Sequence, residues 1–440
     1  MADFSKIILF LYFIVWCLTL IRYQKKKKIF DVGSLMISTF LLFAFSSFMV
    51  YGNVAWGEEF KEVRIFPFIY LYGMLILSMY PVLRINENKI NVIQKPTSLI
   101  LSGFIYLYIA ASLISIPELI SKVGDLKMLV IDSAFGLDSY NESITLSQDS
   151  GKGGVSNLPA IISGAFSNVG VLFFFYYLTL DNRKKIVSIA LGVCTLSVIL
   201  ASLLRGERGG VYYQSMTIIA TYLLLRKFIP HSINTNIKKI GVLLGVIIFG
   251  LIASLTLSRF GSGSNSDPIG SIYYYIGSQN INFNNYGLDN NGIRYGDRTF
   301  PFFKMLLGCD DVPHNFWERR EKYPHLHVND ETFISYVGDF TLDFGQIVAF
   351  VIFLLFFVFS YNRTIIRNGK MKFYQLILIH FIICVCVQGG LSLYSFSDIG
   401  GNLKLIVTYA LYLIFKLDYA RQQRVSLKYS THKIDFDAQQ

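Results

Sequence analysis

The chain has 440 residues, of which 53% are hydrophobic, 16% aromatic and only 16% charged. A soluble domain of this length covers itself with more charge. The composition therefore argues against a water-soluble globule and predicts an all-α fold: a polytopic transmembrane helical bundle forming one domain over 1–440. The net charge of +11 is read as membrane topology and not as nucleic-acid binding, because basic residues of such chains gather in cytoplasmic loops.

Apolar runs predict about eleven spans: 5–21, 32–51, 65–83, 98–116, 158–180, 186–204, 210–225, 240–258, 346–362, 373–388 and 402–417. The first run lacks a basic leader, and Arg22 with Lys25–Lys28 follows it. The expectation is a retained span and not a cleaved signal peptide. Cys17, Cys194, Cys384 and Cys386 lie inside apolar runs, which leaves Cys309 without a loop partner. Neither a disulfide framework nor a zinc site is expected.

After the fourth span comes a loop over 117–157 that opens with SIPELISKVGDLKMLVI. Ser115 and Glu118 have capping-box spacing, and Pro117 suits a first helical turn. Leu119, Val123, Leu126 and Val130 share one face, with Glu118, Lys122 and Asp125 on another. This pattern predicts an amphipathic helix lying along the membrane surface.

Between spans six and seven the sequence reads SLLRGERGGVYY, residues 202–213. Arg205, Glu207 and Arg208 crowd into a tight turn beside Gly206 and Gly209. Two arginines beside glycines make a clamp for an oxyanion. Arginine offers planar, bidentate donors to phosphate, and glycine lets a ligand approach the backbone. The plain structural alternative is that Glu207 pairs with an arginine and caps the helix ends.

The longest loop, 259–345, contains SNSDPIGSIYYYIGSQNINFNNY, RYGDRTFPFFKMLLG and HNFWERREKYPHLHVNDETFISYVGDFTLDFG. Its Tyr, Trp, Phe and Asn content predicts order and not a disordered linker. Such faces suit stacking on sugar rings and equally suit a small packed subdomain carrying short helices. His314, His325 and His327 fall here without the spacing of a metal site. His380, in mid-span, is expected to be hydrogen-bonded inside the bundle.

One alternating set of loops, with the C-terminal tail, holds 24 of the 40 Lys and Arg residues. The positive-inside rule makes that set cytoplasmic. The N-terminus and the turn at 205–209 then face outward, the C-terminus inward, and loops 117–157 and 259–345 are external.

With that layout the chain resembles the Wzy-type oligosaccharide repeat-unit polymerases of bacterial surface polysaccharide assembly. Gly206-Glu207-Arg208-Gly209 is similar to the family's Gly-x-Arg turn. DETFISYVGDFTLDFG, residues 330–345, resembles its Thr-containing segment ending in Asp-Phe-Gly, here Thr332, Asp343, Phe344 and Gly345.

The resemblance implies a metal-independent glycosyltransferase of the bacterial inner membrane, with no cofactor. Its partners would be undecaprenyl-pyrophosphate-linked oligosaccharides, the bilayer and a chain-length regulator protein. The growing chain would leave its lipid pyrophosphate for a hydroxyl of the next repeat unit on the periplasmic face. Arg205, Arg208 and Arg298 are the expected pyrophosphate ligands. His327 is the expected base, with Glu331 and then Glu207 behind it, and Asp343 is expected to cap a helix or orient an arginine. The alternatives are an O-antigen ligase using the same donor and a flippase for lipid-linked sugars.

Overall fold

Asp31 shows how the helices begin: its carboxylate accepts from the Ser34 backbone N–H while Ser34 Oγ accepts from the Asp31 N–H, a reciprocal cap. The computed structural model describes residues 2–52, 60–124, 158–260, 268–328, 330 and 332–437. Its helices are α1 (Ala2–Lys27), α2 (Val32–Val50), α3 (Ile65–Leu83), α4 (Ser98–Ser121), α5 (Leu158–Leu178), α6 (Lys185–Leu204), α7 (Arg208–Leu225) and α8 (His231–Phe260). Then come α9 (Pro268–Asn282), α10 (Pro301–Leu306), α11 (Phe316–Lys322), α12 (Ser335–Arg363), α13 (Phe373–Gln388) and α14 (Asp398–Asp437). Two short strands, β1 (Val92–Gln94) and β2 (Lys370–Lys372), pair in parallel with Ile93 opposite Met371.

Each predicted span falls on a helix. Among the described residues, α1 to α6 and α12 are long and apolar enough to cross a bilayer, and α13 is apolar but shorter. The chain is a polytopic membrane helical bundle. Backbone groups in hydrocarbon must pair within their own segment, and helices achieve that.

Loop contacts sort the molecule into two ends. At the basic end, Arg226 donates to the Phe30 carbonyl at 2.5 Å and Lys227 to the Ile90 carbonyl at 2.8 Å. Lys95 pairs with Asp181 at 3.3 Å, Thr97 N–H donates to Asp418 at 2.9 Å, and Arg84 donates to Thr364 at 3.1 Å. Segments 22–31, 84–97, 181–185, 226–230, 363–372 and 416–422 thus meet on one end. At the opposite end, Val63 N–H donates to Ser5 Oγ at 3.3 Å, and Arg64 N–H donates to Asn284 at 2.7 Å.

The middle is packed with small and aromatic residues. Gly170 of α5 meets the Tyr108 ring of α4, where a Cβ would lie 2.4 Å from ring carbons. Polar side chains join helices in the interior: Gln388 donates to Asn168 at 2.9 Å and to Thr217 at 2.5 Å. His380 meets Thr221 Oγ1 at 2.9 Å, which is the interior hydrogen bond expected of it.

Among its described residues the long loop carries α9, α10, α11, the start of α12 and a π-helical turn (Phe283–Gly287). In α9, Gly277 lies against the backbone of α2, where a Cβ would sit 2.5 Å from the Ser46 carbonyl carbon. Ser47 Oγ donates to the Gly277 carbonyl at 2.7 Å, sealing that crossing. The loop before the fifth span starts differently from the expectation. No helix is capped at Ser115, because α4 continues through Pro117 to Ser121. Leu113 and Ile114 prolong its exposed apolar face, and a helix that stopped among lipid chains would leave backbone groups unpaired. Glu118 and Lys122 then pair one turn apart at 3.0 Å. Asp125, Leu126 and Val130 lie outside the described residues.

Candidate functional site at the long-loop end of the bundle

The turn between α6 and α7 is built by its glycines. Gly206 adopts φ +64°, the left-handed conformation that ends a helix. Glu207 N–H then donates to the Ser202 carbonyl and Gly206 N–H to the Leu203 carbonyl, both at 2.9 Å. That pair of bonds satisfies the last carbonyls of α6 and restarts the chain as α7 two residues later. At Gly210 a Cβ would fall 2.4 Å from Ser202 Oγ, so close approach of α6 and α7 depends on it. Gly209, singled out by its sequence, would meet only the Tyr213 ring, at 3.6 Å.

Glu207 occupies the N-cap position of α7 without capping it through its side chain. Its carboxylate is turned to Arg205 instead, accepting Nε at 2.9 Å and Nη2 at 3.1 Å. The pairing half of the plain structural alternative therefore holds and the capping half does not. The Arg205 side chain remains 47% exposed and that of Glu207 23%. Such a partly exposed bidentate pair is a modest stabiliser, and a stronger bidentate anion can replace the carboxylate. Arg208 lies 5.1 Å over the Tyr275 ring of α9, a cation–π contact. Around the turn stand Tyr212 and Tyr213, 5.5 Å apart, with Tyr394 stacked on Tyr213 at 6.3 Å. Tyr275 also meets Phe333 edge-on at 4.9 Å, and Lys404 of α14 is within electrostatic reach of Glu207 and Arg205.

A second cluster is buried and tightly paired. Arg294 Nε donates to Asp343 Oδ1 at 2.6 Å and Nη1 to Asp330. Arg298 faces Asp339 at 2.9 Å, and Arg319 joins Asp330 to Asp398, the latter at 2.7 Å. Backbone donors complete the carboxylates: Thr299 N–H gives to Asp343 at 2.7 Å and Leu393 N–H to Asp339 at 2.6 Å. Burial pushes the Asp330 carboxyl up, but the Arg298, Arg294 and Arg319 guanidiniums outweigh it and hold it well below the usual carboxylate range. Nearby, burial likewise opposes ionisation of Asp297, and hydrogen bonds from Lys304, Tyr323 and Lys322 overcome it, lowering its pKa.

This network ties five separate stretches together: the loop around 294–299, Arg319 of α11, Asp330, the start of α12, and the connection from α13 to α14. It also gives the Asp-Phe-Gly segment a structure. Asp343 accepts from Arg294, and Phe344 packs 5.9 Å from Phe300. Gly345, at φ +75° and ψ 163°, breaks α12 into two helical halves.

The predicted residues therefore divide. Arg205, Gly206, Glu207, Arg208 and Gly209 share one turn. Arg298 sits in the buried network, its guanidinium against Asp339. Thr332 is half-buried beside Phe333. His327 is exposed, its ring 6.2 Å from Tyr286 and its backbone N–H bonded to the Asn290 carbonyl at 3.3 Å. Glu331 lies outside the described residues. Arg294, Arg319, Asp398, Tyr394 and Lys404 escaped the sequence reading. Only one signal pointed to any of them. Arg294 and Arg298 are four apart, as are Asp339 and Asp343, a matched spacing of opposite charges. No protein-family model, no curated protein and no solved structure matches the chain.

Proposed function

We propose that the protein is a glycosyltransferase that polymerises undecaprenyl-pyrophosphate-linked oligosaccharide repeat units on the outer face of a bacterial inner membrane. The observation that carries this reading is the turn at 205–208. It sets two arginines and a glutamate beside Tyr213, Tyr275 and Tyr394, with Lys404 in electrostatic reach. The N-terminus and the turn face the periplasm in this proposal, and the basic end faces the cytoplasm, as the positive-inside rule requires.

The chemistry follows from the groups present. An acceptor hydroxyl attacks the anomeric carbon of the growing chain, and the bond from that carbon to the pyrophosphate oxygen breaks. Its electron pair leaves on the pyrophosphate, whose charge rises as the bond lengthens. Arg205 and Arg208 meet that charge with fixed donors, and stabilising charge as it develops lowers the barrier. Once pyrophosphate engages the Arg205 fork, Glu207 is released to accept the proton of the attacking hydroxyl. His327, exposed beside Tyr286, is the alternative acceptor and Glu331 the next, and a Glu207→Gln variant that keeps the wild-type rate removes Glu207 from that role.

The test is Arg208→Lys in the producing cell. Lysine keeps the charge and loses the planar fork. Surface polysaccharide should change from a ladder to single repeat units, with the protein still inserted at wild-type level. A normal ladder would reduce Arg208 to a helix-end residue and remove the mechanism.

A further inference from the structure

In residues 389–397, Tyr394 is the exposed residue of a stretch otherwise buried. Tyr394 is 57% exposed, while Leu393 and Phe396 on either side are at 4% and 2%. The backbone that displays it is firmly tied. Ser335 N–H donates to the Leu391 carbonyl and Tyr336 N–H to the Gly389 carbonyl, both at 2.8 Å. Leu393 N–H is held by Asp339 at 2.6 Å, and Asp398 N–H donates to the Arg298 carbonyl at 2.9 Å. The buried arginine–aspartate network thus fixes both ends of the turn that carries Tyr394. The ring itself lies on Tyr213 at 6.3 Å with 26° between planes, and its hydroxyl is within electrostatic reach of Arg205. An aromatic ring at a membrane surface needs no such clamping to sit there. Clamping removes the ordering cost that a ligand would otherwise meet.

We infer that Tyr394, backed by Tyr213, is the stacking platform for the pyranose ring attached to the pyrophosphate. A sugar offers an apolar C–H face that suits a flat aromatic surface, and its hydroxyls suit the polar rim. With the pyrophosphate on Arg205 and Arg208, the first sugar lies within reach of Tyr394. The α13–α14 connection, and not the long loop, then reads the saccharide. The inference rests on the polymerase reading and names a substrate-binding residue within it.

The experiment uses the full-length protein in lipid nanodiscs. Two probes are titrated: the undecaprenyl-pyrophosphate-linked repeat unit extracted from the producing strain, and undecaprenyl pyrophosphate alone. Tyr394→Ala should weaken binding of the saccharide-bearing lipid about tenfold, the size of one aromatic stacking contact. It should leave the bare lipid unchanged, and Tyr394→Phe should bind both as the wild type does. Equal weakening for both probes would make Tyr394 a support for Arg205, and no weakening for either would make it an ordinary interfacial ring. Both results overturn the platform. A wild type that binds the two probes equally overturns it as well but leaves the pyrophosphate site standing. A wild type that binds neither removes the polymerase reading itself.

Discussion

The Arg205 side chain is 47% exposed and, among the described residues, shares its guanidinium with one glutamate, whereas the Arg294, Arg298 and Arg319 side chains are at most 4% exposed among four aspartates. The first arrangement can exchange its carboxylate for a ligand. The second cannot be opened without leaving charges stranded in a buried site, which costs several kcal/mol. Asp330 makes this testable. Its folded-state pKa is depressed, below the unfolded value of about 4. The stabilisation it contributes is therefore present above about pH 4 and is lost as pH falls through the folded value. Thermal unfolding in detergent between pH 6 and pH 3 should show the wild type losing stability toward the acid end. Asp330→Asn should start lower and lose less over the same range. Parallel curves for the two proteins would show that Asp330 carries no such linkage. Of these arginines the sequence offered only Arg298. Its partners come from positions 330, 339 and 398, and no local pattern announces contacts at such separations.

The elements were more legible than their ends. Each predicted span falls on a helix because an apolar run in lipid has helix as its only economical backbone state. The start at Ser115 was misread because capping signals describe a helix beginning in water, and α4 is still among apolar neighbours there. Gly345 teaches the opposite lesson: one residue in a motif sets the shape of an element. A Cβ there would find room, its nearest neighbour being Ile293 Cγ2 at 3.8 Å. The penalty of Gly345→Ala is thus in the backbone, at φ +75°, and amounts to about 2 kcal/mol. The variant should unfold correspondingly earlier in detergent. On the proposed function it should also lose polymerisation, because the break comes two residues after Asp343, which accepts from Arg294. Unchanged stability would show that α12 straightens without cost and that the Asp-Phe-Gly break is incidental.

Across the whole molecule, the charge alternation and the loop contacts agree on which segments share an end. Six basic segments meet at one end, and Ser5, Val63 and Asn284 meet at the other. Which end faces the periplasm is decided in the proposal by the positive-inside rule. A cysteine at Gly209 should react with an impermeant thiol reagent in outer-membrane-permeabilised cells, and one at Lys185 should be protected. The reverse pattern would invert the topology. The aromatic platform and the arginine turn were separable in the sequence only in part. The turn is a compact motif, but Tyr394 becomes notable only when its neighbours are seen to be buried.

Reconstitution tests the central claim most directly. Purified protein in nanodiscs is given undecaprenyl-pyrophosphate-linked repeat units, with no nucleotide sugar added, and products are resolved by chain length. The wild type should build a ladder and release undecaprenyl pyrophosphate, one molecule for each linkage made, while Arg208→Lys should leave the repeat unit unconsumed. A wild type that consumes no substrate, or an Arg208→Lys protein that builds the same ladder, would contradict the account.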